Sequence, residues 1–203
     1  MKIICIGRNY VEHAIELNNP LPKKPIFFLK PESAVVLKNQ PFYYPEFSKD
    51  IHYETEIVLK ICKVGKHIQP EFAHTYFDEI GIGFDLTARD LQNECKAKGL
   101  PWEMAKAFDQ SAPLGLFKPK SAYKNMNDIA FSLKVNKEIK QQGNTRDLIF
   151  SFDHLISYVS QFITLKIGDL IFTGTPEGVG PVHIGDHLEA YIEDEKCLDL
   201  KVK

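Results

Sequence analysis

The chain is most constrained by the stretch from Ile51 to Ile61. Ile51, Tyr53, Thr55, Ile57, Leu59 and Ile61 recur at every second position, the period of an extended strand rather than a helix. His52, Glu54, Glu56, Val58 and Lys60 fall between them, on the opposite face. A fold that contains this strand sets Glu54 and Glu56 side by side, roughly 6.5–7 Å apart by strand rise. Two carboxylates at that spacing repel. Either they point into water as a solvated face, or a divalent cation sits between them.

Most other segments also read as short strands. They lie at 2–6, 25–31, 79–86, 129–135, 169–173, 187–192 and 197–202, with short segments at 33–37 and 41–45. Asn136-Lys137-Glu138 predicts a tight turn into a further strand. Asn9 with Glu12 three residues on resembles a capping box for a short helix that Asn18-Asn19-Pro20 ends. Pro70 suits the first turn of another helix. Thr87 with Asp90 is read as the start of a helix from Ala88 to about Lys98, stopped by Gly99. Ser151 to about Thr164 is amphipathic, with Leu155, Ile156, Val159 and Phe162 on one side. Residues 102–109 fit no single element. Strands outnumber helices without alternating regularly with them, which argues against a doubly wound parallel sheet. No linker or internal repeat interrupts residues 1–203, and one domain is expected.

Charge and cysteine usage limit the function classes. A net charge of -2 implies no general attraction to nucleic acid or a membrane surface. Cys5, Cys62, Cys95 and Cys197 include no C-x-x-C pair, so reduced, buried thiols in a cytoplasmic setting are expected. The apolar run at 3–6 is too short for a secretory leader and meets Arg8 almost at once, so it reads as a first strand.

An oxygen-rich metal site needs acidic groups converging from different elements. Asp85, closing a glycine-bearing strand, is the third candidate after Glu54 and Glu56, with a turn or cap role as the alternative. Asp90 reads as a helix-start residue near the positive end of the dipole. Lys106, among Met104, Ala105, Ala107 and Phe108, either snorkels at the surface or stands beside a metal site. His13 and Glu16, at i and i+3, form either a surface pair or a general-base pair. The loop Thr173–Gly180 exposes backbone N–H groups suited to a carboxylate. His183 and His187 are read as structural. G-x-S-x-G, H-E-x-x-H and G-x-G-x-x-G are all missing from the sequence.

Six segments, in this order and spacing, resemble the fumarylacetoacetate hydrolase family. They are Gly7-Arg8-Asn9-Tyr10 with His13 and Glu16; 25–31; Tyr53-Glu54-Thr55-Glu56; Phe84–Asp90; Ala105–Asp109; and Gly168–Pro176. Residues 89–102 are similar to the short acylpyruvate hydrolase and oxaloacetate decarboxylase branch. The resemblance implies a β-rich α+β fold, a mixed β-sandwich roll, in a homodimer. It implies Mg²⁺ or Mn²⁺ held by Glu54, Glu56 and Asp85, with Lys106 beside the metal and His13–Glu16 on a helix that closes over substrate. It places Arg8 and Thr175 near a substrate carboxylate and Gln92 near the reactive water. The implied reaction is hydrolytic carbon–carbon cleavage of small 2,4-diketo acids, acylpyruvates such as acetylpyruvate or fumarylpyruvate, through a metal-bound enolate. Oxaloacetate decarboxylation or enol–keto tautomerisation in the same site is the alternative. A non-enzymatic metal-binding module is a further one, against which the complete dyad and lysine argue.

Overall fold

A computed structural model describes residues 1–16, 20–36 and 40–203. The helix end expected at Asn18-Asn19 and the tail of the 33–37 segment lie outside the described residues. In chain order the strands are β1 (Ile3–Gly7), β2 (Ile26–Lys30), β3 (Val35–Val36), β4 (Ile51–Tyr53), β5 (Thr55–Ile61), β6 (Phe77–Phe84), β7 (Thr87–Ala88), β8 (Ala112–Pro113), β9 (Lys118–Pro119), β10 (Ala130–Val135), β11 (Glu138–Asn144), β12 (Leu170–Phe172), β13 (Gly180–Pro181), β14 (His187–Ile192) and β15 (Glu195–Lys201). The α-helices are α1 (Val11–Glu16), α2 (Pro70–Ala73), α3 (Arg89–Lys98), α4 (Glu103–Lys106) and α5 (Phe152–Phe162). This is the β-rich α+β class read from the sequence.

Two sheets share one core. The larger runs β2-β1-β12-β5-β6-β9 and is antiparallel except where β1 pairs β12 in parallel. The smaller runs β11-β10-β14-β15. Ile57 and Ile82 from the first pack with Leu133, Leu188 and Leu198 from the second, and Leu155, Ile156 and Val159 of α5 join them. Full burial of each such side chain contributes about 1.5–3 kcal/mol. The β10–β11 turn places Asn136 and Lys137 at φ 51 and 73, the left-handed pair that matches the twist of a two-residue hairpin.

The 51–61 stretch is not one strand. Pairing breaks at Glu54: β4 belongs to a small three-stranded sheet with β13 and β7, and β5 to the large one. The face bearing Glu54, Glu56 and Val58 is buried, so the solvated-face reading does not hold. The glycines of β6 act as expected. A Cβ on Gly83 would meet the Phe172 ring at 2.8 Å and the carbonyl oxygen of Pro113 at 3.0 Å. Gly83→Ala is therefore expected to cost about 1–3 kcal/mol by overpacking, read as a lower urea midpoint at unchanged slope.

Several local expectations are corrected. Thr87 does not cap α3; its hydroxyl donates to the carbonyl of Asp85 because the residue lies in β7. Asp90 does serve the helix start, accepting from Ser48 Oγ, Lys49 N and Leu91 N. Asn9 is no cap either. Its side chain donates to Phe150 O and Thr173 O and accepts from Phe150 N, tying three distant segments together. Phe162 is 57% exposed rather than part of the buried face of α5, its ring packing beside Phe27 and Tyr158. Cys62 is half-buried; the other three cysteines are buried, and all four are free.

Candidate active site

The antiparallel register of β5 and β6 brings the acids together. Thr55 faces Phe84 and Glu56 faces Gly83 across the pair, so Asp85 emerges beside Glu54, whose carbonyl accepts from Asp85 N at 2.8 Å. Glu54, Glu56 and Asp85 are 6%, 1% and 2% exposed. One carboxylate oxygen from each lies within 4.8 Å of the others. Burial, followed by the charges of Asp85 and Glu54, pushes the Glu56 carboxyl well above its ordinary range. Burial also works against the Glu54 anion, but Lys106, Arg89 and His13 outweigh it and hold that carboxyl well below its ordinary range.

Three buried cations pair with Glu54 and Asp85. Lys106 Nζ donates to Glu54 Oε2 at 2.8 Å, Asp85 Oδ2 at 2.7 Å and Thr87 Oγ1 at 2.5 Å. The snorkelling alternative for Lys106 is thereby ruled out. Arg89 Nη2 donates to Glu54 Oε1 at 2.5 Å, and its Nη1 to Gln92 Oε1 at 2.6 Å. Lys30 Nζ lies 2.8 Å from Asp85 Oδ1. Its three protons, however, go to the carbonyls of Leu86, Lys106 and Ser111, so that contact is charge alone. Asp85 Oδ1 is consequently buried with no hydrogen bond among the described residues. An unsatisfied, buried carboxylate oxygen in an all-oxygen donor set fits a hard divalent cation.

Sequence reasoning missed Lys30 and Arg89 as site residues. The available signals were a lysine ending an apolar strand and an arginine four residues after Asp85. Lys30→Met would strip donors from three buried carbonyls and a cation from Asp85. We expect a loss of about 3–5 kcal/mol, measured by denaturant unfolding; a loss under about 1 kcal/mol would contradict the assignment of Lys30 as a structural cation.

Above this floor, α1 presents His13 inward. His13 is buried, and its Nδ1 sits 3.4 Å from Glu16 Oε2. Burial lowers the imidazole's pKa despite the opposing pull of Glu54 and Glu16, so the ring is neutral at pH 7. The pocket between floor and helix is also lined by Arg8, Gln92 and Thr175. Arg8 holds a left-handed backbone at φ 59, uncommon for a residue with a side chain. Thr175 Oγ1 accepts from Gln141 Nε2 at 2.9 Å.

The 173–180 loop does bind carboxylates, but they are the protein's own. Gly174 N donates to Glu56 Oε2 at 2.7 Å, and Gly178 N to Glu16 Oε1 at 3.1 Å. The loop thus anchors a floor residue and a helix residue together. A second group, His187, Glu189 and Asp199, could also converge on a cation. Lys196 already bridges its two carboxylates at 3.0 and 2.8 Å, consistent with a structural role for His187.

A floor of three buried acids under a neutral, carboxylate-paired histidine is the arrangement of a metal-assisted acid–base enzyme. Residues 2–203 match the C-terminal fumarylacetoacetate (FAA) hydrolase family, and the chain belongs to it. Among its relatives, the mitochondrial oxaloacetate tautomerase FAHD1 of Mus musculus is 42% identical over 201 residues, covering 99% of this chain and 91% of that protein. The mitochondrial oxaloacetate decarboxylase of Dictyostelium discoideum is 44% identical over 192 residues, covering 94% and 88%. The crystal structure of fumarylpyruvate hydrolase from Pseudomonas aeruginosa, in complex with Mn²⁺ and pyruvate, superposes with a TM-score of 0.94 at 40% identity, covering 100% of this chain and 89% of that one. Among the described residues, no helix is long and apolar enough to cross a membrane.

Proposed function

We propose that residues 1–203 act as one catalytic domain that cleaves a carbon–carbon bond in small 2,4-diketo acids, with Glu54, Glu56 and Asp85 holding Mg²⁺ or Mn²⁺. The observation that carries this reading is the buried His13, 3.4 Å from Glu16 and lining one pocket with the converging carboxylates of Glu54, Glu56 and Asp85. When bound, the ion supplies a Lewis acid for the 2-oxo group. Arg8 and Thr175 hold the substrate carboxylate, and Gln92 positions a water. With Nδ1–H directed at Glu16, His13 Nε2 takes a proton from that water, and Glu16 stabilises the resulting imidazolium. Hydroxide adds to the distal carbonyl and the carbon–carbon bond breaks. The electron pair passes to a pyruvate enolate, whose charge the ammonium of Lys106 stabilises. Reprotonation gives pyruvate.

A second reading has equal support from the relatives. Decarboxylation of oxaloacetate yields the same enolate without a nucleophilic water, and tautomerisation needs only proton transfer to and from it. The cysteine pattern supports a reducing, cytoplasmic setting, and the family resemblance supports a homodimer, which sedimentation equilibrium would test. The primary experiment is pyruvate release from acetylpyruvate and from oxaloacetate, with and without EDTA. Metal-dependent release from at least one substrate is expected; metal-independent release, or none from either, overturns the reading.

A further inference from the structure

The charges in the pocket do not cancel. Arg89, Lys106 and Lys30 are all within ion-pair distance of Glu54 or Asp85, while Glu56 accepts from the backbone N–H of Gly174. Two more cations line the same pocket, Arg8 and Lys96, and neither has an ion-pair partner among the described residues. Lys96 is the informative one. Its neighbour on the last turn of α3, Lys98, is paired with Glu94 at 2.6 Å on the outer surface. Both lysines favour the C-terminal end of the helix dipole. That role does not explain why Lys96 alone is directed to the pocket.

An aromatic wall sets where Lys96 stands. The Phe28 and Trp102 rings meet edge to face at 6.0 Å, and both line the pocket. The Lys106 ammonium lies 5.1 Å from the Phe28 centroid, at the buried end. The Lys96 ammonium lies 5.8 Å from the Trp102 centroid, at the exposed rim. Two ammonium groups are thus spaced along one wall, one over the metal floor and one at the mouth. Burial, then the charges of Arg89 and Arg8, lowers the Lys96 pKa, as expected for three cations facing one cavity.

We propose that Lys96, seated on Trp102 at the pocket rim, is a specificity-determining residue that takes a second, distal carboxylate, so that dicarboxylic 2-oxo acids bind in preference to monocarboxylic ones. This rests on the proposed function for the binding of the 2-oxo acid end. Two unpaired cations call for two anionic groups: Arg8 for the carboxylate beside the 2-oxo carbon, and Lys96 for the one at the far end. A monoanionic acyl group leaves Lys96 with its aromatic contact alone.

The test is calorimetric titration of the Mn²⁺-loaded protein with 2-oxoglutarate and 2-oxovalerate, which differ by a terminal carboxylate and contain no bond this chemistry cleaves. Wild type is expected to favour 2-oxoglutarate by about tenfold or more, an advantage that shrinks as salt is raised. Lys96→Gln removes most of that preference and Lys96→Arg retains it. Equal affinity of wild type for the two acids, or a preference that survives in Lys96→Gln, overturns the proposal. A wild-type preference lost in Lys96→Gln, together with no turnover of acetylpyruvate or oxaloacetate, would remove the catalytic reading and leave the subsite standing.

Discussion

Glu56→Gln is expected to abolish turnover and metal binding while leaving the fold intact. Its carboxyl is already pushed well above the ordinary range by burial and by Asp85 and Glu54, so the metal-free folded protein keeps the protonated form to higher pH than a free carboxyl does. Glutamine reproduces the shape and neutrality of that form. It can still accept from Gly174 N through its amide oxygen. What it cannot do is become an anionic ligand. We expect turnover to fall by more than about 10³-fold, with loss of saturable Mn²⁺ binding. The thermal midpoint should hold or rise. The sign follows from linkage: a carboxyl whose folded pKa lies above its unfolded one loses its stabilising contribution as pH rises from the unfolded value through the folded one. Glutamine removes that loss, so metal-free Glu56→Gln should show a flatter stability profile above the ordinary carboxylate range. Glu54→Gln differs, because it discharges the partner of buried Arg89 and Lys106 and is expected to destabilise. Undiminished metal affinity in Glu56→Gln would remove that residue from the ligand set.

His13→Ala separates the two reactions. Cleavage of an acylpyruvate requires a base to activate water, so its rate should fall by about 10²–10⁴-fold. Loss of CO₂ from oxaloacetate requires no such base and should persist. The pH profile gives a second readout. Because burial lowers the His13 pKa, the imidazole stays neutral at pH 7 and its protonation is delayed to below the ordinary histidine value. The acid limb of hydrolysis should accordingly lie below about pH 6.5 and disappear in the residual activity of His13→Ala. Equal loss of both reactions would count against water activation as the role of His13. An acid limb above that value would count against a desolvated imidazole.

Much of the site was legible because it depends on short spacing. Side-chain direction in a strand or one helical turn is set locally. A step of two residues puts Glu54 and Glu56 on one face, and a step of three puts Glu16 within reach of His13. Hairpin residues 136–137 and the buried stripe Leu155, Ile156 and Val159 were legible for the same reason. Only the tertiary structure decided whether the glutamate face met water or the interior, since that depends on which elements cover it. It also decided the charge balance. Lys30 and Arg89 reach the acids through strand pairing and helix placement that bring distant parts of the chain together, and the 173–180 loop spends its N–H groups on Glu56 and Glu16 for the same reason. Spacing along the chain specifies which groups share a face; burial and compensation of charge depend on what packs against that face, and the partners come from segments far away in sequence.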